Sequence, residues 1–200
     1  MGYCPFYQAL PDESDLARLL RTDRQSLALM TALFPNGSRP FDLWEVGEGE
    51  IGDTLDWLSE EEDVFAAREE AERTLDHLRA EMERATSRHP GLVDRMAYLE
   101  KTQDDIEERL VQRFGEESRP FWRDLIGGER PFAPEMVGEG FEQLWVVTPP
   151  TVVEAARLLR EIEPVSLFDD EDEDYIREDF RDWRELYLEA AERGEAVLVL

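Results

Sequence analysis

The chain has 200 residues, 42% hydrophobic and 10% aromatic, which is enough for a folded core and too many for a wholly disordered chain. Acids outnumber bases 49 to 22, giving a net charge of −27, and Lys101 is the single lysine. That balance argues against nucleic acid and anionic membranes as partners, because affinity for both rests on Lys and Arg neutralising phosphate. It suits basic proteins, cations, or a self-repelling, salt-tolerant surface.

Cys4 is the one cysteine, so no intramolecular disulfide forms, which fits a reducing compartment. The opening residues carry no basic segment followed by a long apolar stretch. Gly2 does not open a myristoylation motif, because Phe6 stands where Ser or Thr is needed. No apolar run reaches the length of a membrane span. The expectation is a soluble cytoplasmic protein.

Residues 3–10 predict an aromatic-rich strand, placed at a sheet edge or starting after Pro5. Asp12 or Ser14 opens a helix whose buried side is Leu16, Leu19, Leu20, Leu27, Met30 and Leu33, with a break near Thr22-Asp23. Pro35-Asn36-Gly37-Ser38 ends it. Phe41 to Val46 reads as a short strand or extended loop, and Asp53 to Leu58 as a short helix. Ala71, Leu75, Leu78, Met82 and Ala85 are spaced 4, 3, 4 and 3. After Arg88-His89-Pro90-Gly91, the residues Leu92, Met96, Leu99, Gln103, Ile106 and Leu110 continue a similar seam. Two narrow-seamed arms joined by a Pro-Gly turn predict an antiparallel helical hairpin over 64–114. Gln103 interrupts the seam, either fixing register or facing solvent.

Phe141 to Val147 reads as a strand. Thr148 is a natural N-cap, and Pro149 fits the first turn that follows. Val152, Val153, Ala156, Leu159 and Ile162 form that helix's core face. A last helix carries Ile176, Phe180, Trp183, Tyr187 and Ala190 on one side, with Gly194 as its terminating glycine. Residues 196–200 form an apolar strand of the kind buried on both faces.

Several segments resemble the YfbM-like family, a bacterial group of unknown function. They are MGYCPFYQAL, LIGGERPF, LWVVTPPTVVEAARLL and the closing DEDEDYIREDFRDWRELYLEAAERGEAVLVL. FDLWEVGEGEIGDTLDWL is a weaker match, lacking the basic residue and histidines the family carries in that helix. The resemblance covers residues 1 to about 60 and 118–200, with the hairpin as an insertion. It implies a single α+β domain over 1–200 with a small mixed or antiparallel sheet packed with helices. It implies no activity and no catalytic residues.

Few residues suggest chemistry. Gly47-x-Gly49-x-x-Gly52 has the spacing of a dinucleotide-binding turn, but Glu48, Glu50 and Asp53 would confront a diphosphate. No βαβ unit surrounds it, so it reads as an acidic turn. The run Asp169, Asp170, Glu171, Asp172, Glu173 and Asp174 fails the EF-hand pattern, since starting from Asp170 puts Tyr175 at position 6 and Arg181 at position 12. A looser cation site, an acidic helix start and a docking patch for a basic partner stay open for it. His77 and His89 have no partner ligands at metal spacing, and His77 with Glu81 reads as an exposed pair. Cys4 reads as a small buried residue. Tyr175, Phe180, Trp183 and Tyr187 read as core before ligand wall.

No cofactor and no metal are therefore expected. The function expected is an acidic binding module engaging a basic protein, or self-associating through the hairpin, in an inhibitor- or immunity-like role. The alternative is a small-molecule hydrolase using carboxylates in a cleft beside the sheet.

Overall fold

A computed structural model describes residues 5–33, 47–60, 64–134, 144–168 and 174–200. The chain folds as two compact units: Met1–Asp12 with Arg95–Phe132 and Trp145–Leu200, and Glu13–Asp94 with Ala133–Leu144.

The second of these is helical among its described residues. Helix α1 (Asp15–Thr22) starts where Ser14, in extended conformation, accepts the Ala17 N–H at 3.1 Å. Asp23 separates it from α2 (Arg24–Leu33), and its carboxylate accepts the N–H groups of Gln25 and Ser26. The break expected at Thr22-Asp23 is therefore a second cap. Helices α3 (Glu48–Glu60) and α4 (Arg68–Arg88) follow. The seam of α4 is buried as its spacing predicts, at Ala71, Leu75, Leu78, Met82 and Ala85. It packs against α1, α2 and α3. The helix ends at Arg88, followed by His89 and by Gly91 at φ 76°.

The other unit holds a five-stranded antiparallel sheet with helices packed on it, so the fold class is α+β. Its strands are β1 (Phe6–Leu10), β2 (Met96–Tyr98), β3 (Arg130–Pro131), β4 (Trp145–Val147) and β5 (Ala196–Val199), in the order β2-β1-β5-β4-β3. Strand β1 begins directly after Pro5, which has no N–H to donate. Strand β5 lies centrally between β1 and β4, and all four of its residues are buried. Tyr7, Ala9, Ala97, Val147, Val197 and Val199 point to one face. They join residues of α5 (Gln103–Phe114), α6 (Arg119–Gly127), α7 (Pro149–Leu159) and α9 (Asp174–Arg193) in one core, along with Leu167 from the short α8 (Pro164–Leu167). The opposite face, with Gln8, Leu10, Val146, Ala196 and Leu198, is buried as well.

The expected hairpin is corrected here. Residues 64–114 do not form two helical arms: α4 belongs to one unit, while β2 and α5 belong to the other. Leu92 lies in a turn, Met96–Tyr98 pairs with β1 as a strand, and the Leu99 N–H donates to the Pro5 carbonyl. The 4-3 spacing through Leu92, Met96 and Leu99 is thus coincidental, and non-local strand pairing overrides it. Helix α5 starts only at Gln103. The Asp179 carboxylate on α9 accepts the Glu100 N–H at 2.9 Å and the Thr102 hydroxyl at 2.7 Å, pinning that start.

Helix α9 matches expectation, with Ile176, Phe180, Trp183, Tyr187 and Ala190 all buried. Gly194 takes φ 66°, and the Glu195 N–H donates back to the Ala190 carbonyl at 2.9 Å, closing the helix with a left-handed glycine. In α7, Val153 is 52% exposed and Ala155 is buried, so the core face is turned slightly from the one expected. The strand expected at Phe41–Val46 and residues 141–143 of the strand before α7 lie outside the described residues.

Candidate functional site

The buried stripe of α9 fixes what its other side presents. Asp174, Glu178, Asp182, Glu185, Glu189 and Glu192 are all exposed, spaced 4, 4, 3, 4 and 3. At 3.6 residues per turn they fall within roughly 80° of the helix circumference. A helix of 20 residues makes this an acidic stripe about 30 Å long. Arginines flank it: Arg177 pairs with Asp174, Arg181 with Asp182, and Arg160 with Glu192. Glu178, Glu185 and Glu189 make no ion pair among the described residues.

The acidic run singled out in the sequence leads into this stripe. Asp169, Asp170, Glu171, Asp172 and Glu173 lie outside the described residues. Asp174 is the first residue of α9, exposed, at the helix end where a carboxylate is favoured. Sequence reading missed the continuation of the stripe, although the spacing of the acids carried the signal. Tyr175 is 57% exposed beside it, so of the four aromatics only Phe180, Trp183 and Tyr187 are core.

A second polar cluster gathers where α6 ends. The Tyr187 hydroxyl donates to the Leu125 carbonyl at 2.8 Å, and the Tyr7 hydroxyl donates to the Ile126 carbonyl at 2.7 Å. Two carbonyls that the helix cannot satisfy itself are thereby paired. Gly128 then turns the chain at φ 90°, and a Cβ there would stand 2.3 Å from the Trp145 Cβ. This close approach brings Glu129 to the start of α7. Its carboxylate accepts the Thr148 N–H at 3.0 Å and the Thr148 hydroxyl at 2.8 Å. Thr148 is the expected cap residue, yet its own hydroxyl makes no capping bond to the α7 backbone.

The electrostatics of this cluster divide two carboxyls. Partial burial pushes Glu129 up, but the bonds from Thr148 and Thr151 and the charge of Arg130 outweigh it, leaving Glu129 below the usual carboxylate range. Asp124 is raised by desolvation and then by the charge of Glu129, against the pull of Arg123. Burial, with Glu129 nearby, raises the Tyr187 phenol well above its ordinary value. The arrangement orders the Gly-Gly-Glu loop and caps α7.

The remaining candidates separate. Gly49 and Gly52 lie inside α3, and the Ile51 N–H donates to the Gly47 carbonyl at 3.0 Å. The glycine trio is therefore the first turns of a helix, not the turn expected. His77 is exposed on α4, and His89 follows its last turn. The exposed His77–Glu81 pair is not formed: Glu81 is 8% exposed and pairs with Arg84 at 2.9 Å. Cys4 lies outside the described residues. Among the described residues no group of three or more His, Cys, Asp or Glu is arranged to hold a metal ion. None of their helices is long and apolar enough to cross a membrane. No family model, curated protein or solved structure matches the chain.

Proposed function

We propose that the protein is an acidic binding module, acting in the cytoplasm, that engages a basic protein partner in an inhibitor- or immunity-like role. The six-acid stripe of α9 carries this reading, and the acidic residues 169–173 precede it in sequence. Each exposed charge contributes only about 0–1 kcal/mol to a static pair. A long stripe with an excess of negative charge instead favours encounter with a basic partner and disfavours acidic competitors. The three glutamates without ion pairs need no intramolecular bond broken before they meet a partner. Self-association loses its basis with the hairpin and is not part of the proposal.

The hydrolase alternative finds its best support at Glu129 and Asp124, whose protonation is pushed in opposite directions. Against it, Glu129 is already engaged by Thr148, and Asp124 is exposed. We also propose that the YfbM-like part spans residues 1 to about 60 and 118–200, with α3 as its weaker match. The resembling segments supply β1, the α6–β3 loop, β4 with α7, and α9 with β5.

The test is affinity capture from the native cytoplasm at low salt with mass spectrometry, beside light scattering of the pure protein. Recovery of one basic protein, released as salt rises, is the expected result. A monomer that recovers no basic protein at low salt would remove the support.

A further inference from the structure

We infer that α3 is an ionic-strength switch: helical when mobile cations screen its carboxylates, and open when salt is withdrawn. Helix α3 holds Glu48, Glu50, Asp53, Asp56 and Glu60, and no basic residue. Glu50–Asp53, Asp53–Asp56 and Asp56–Glu60 are like-charge neighbours three or four residues apart, the spacing at which side chains face each other. Glu48 and Glu50 suit the first turn, but Glu60 stands in the last turn, where carbonyl ends repel it and no base compensates. Gly49 and Gly52 lower the helix's intrinsic propensity further. Among the described residues α3 is held by burial of Ile51, Leu55 and Leu58, by packing on α2 and α4, and by an exposed ion pair from Asp56 to Arg68 of α4. Arg68 is shared with Glu72, so even this base is divided.

Screening length decides the outcome. Thirteen residues make α3 about 20 Å long. The Debye length is about 30 Å at 0.01 M salt and about 3 Å at 1 M. At the lower concentration every carboxylate of α3 acts on every other, within a unit carrying 23 acids against 9 bases. At the higher concentration they act almost independently. Helix α4 is the internal control, because it alternates 6 acids with 5 bases along 21 residues.

Hydrogen exchange of the full chain, read by mass spectrometry at about 0.01 M and about 1 M potassium chloride, tests the inference. Protection of amides in 54–60 is expected to rise at least tenfold with salt, while protection in α4 changes less than threefold. An uncharged osmolyte such as sucrose at low salt is expected not to substitute. The triple variant Glu50→Gln/Asp53→Asn/Glu60→Gln is expected to protect α3 at low salt and to flatten the dependence, with circular dichroism confirming that the remainder stays folded. Equal protection of α3 at both concentrations would overturn the inference. So would parallel changes in α3 and α4, full rescue by sucrose, or an unchanged salt dependence in the variant.

Discussion

Arg95 and Glu195 form a buried ion pair whose energetics follow from its geometry. Arg95 stands just before β2 and Glu195 just before β5, and β1 lies between those two strands. The pair is bidentate: Nε donates to Oε2 at 3.0 Å and Nη2 to Oε1 at 2.7 Å. The side chains are 4% and 3% exposed. The Arg95 carbonyl also accepts the Ala9 N–H and the Gln8 side-chain amide, each at 3.0 Å, so its backbone is held independently of its guanidinium. Arg95→Met keeps those backbone bonds and strands a buried carboxylate, which costs about 3–5 kcal/mol. Against a typical domain stability of about 5–15 kcal/mol, that is a large share. Arg95→Met/Glu195→Leu removes both charges and fills similar volume, and is expected to lie within about 1 kcal/mol of the parent or above it. Urea unfolding followed by tryptophan fluorescence, with Trp122 and Trp183 both fully buried in the same unit, reads both values. A single variant costing under about 1 kcal/mol would refute the reasoning, as would a double variant no more stable than the single.

Other substitutions test the loop and the helix ends. Gly128→Ala meets both a positive φ and the Trp145 Cβ, and should cost about 2–4 kcal/mol; Gly194→Ala, with open space around it, should cost only about 1–2 kcal/mol. Equal urea midpoints for the two would contradict the close approach. Glu129→Gln removes a charge from the start of α7 and should cost about 0.5–1 kcal/mol at pH 7. Because folding lowers the affinity of Glu129 for its proton, this stabilisation is complete above the ordinary carboxylate range, near pH 4.3, and is lost as pH falls through the folded value. Parent and variant should therefore converge in acid, and a gap that widens there would reverse the sign. Tyr187→Phe leaves the Leu125 carbonyl without its donor and should cost about 1–3 kcal/mol in thermal or urea unfolding. A cost near zero would mean that this bond does not hold the α6 end.

Much of the fold was legible wherever a local signal sufficed. Pro5 sets the start of β1, Ser14 and Asp23 punctuate the first two helices, and Gly194 closes α9. The apolar spacings of α4 and α9 identify their buried faces residue by residue. Strand β2 was not legible, because three residues carry almost no periodicity and their partner is Phe6–Gln8, about 90 positions away. Three glycine spacings suggested a turn at 47–52, whereas burial of Ile51 and Leu55 draws that stretch into a helix against its propensity. At the candidate site, the acidic run stood out by composition. Its continuation along α9 was hidden because the apolar face of that helix drew the reading, although the same period places the acids opposite. The Glu129–Thr148 contact joins residues 19 apart through a glycine turn whose φ the sequence alone does not state.

Two variants of equal net charge separate a defined binding surface from general acidity. Glu178→Gln/Glu185→Gln/Glu189→Gln neutralises three exposed positions on the α9 stripe, and Glu69→Gln/Asp76→Asn/Glu83→Gln neutralises three exposed positions on α4. Capture of the proposed basic partner at low salt, quantified for each against the parent, is the decisive measurement. The account predicts that the α9 variant loses the partner and the α4 variant keeps it. Equal retention, or equal loss, by the two variants would contradict it.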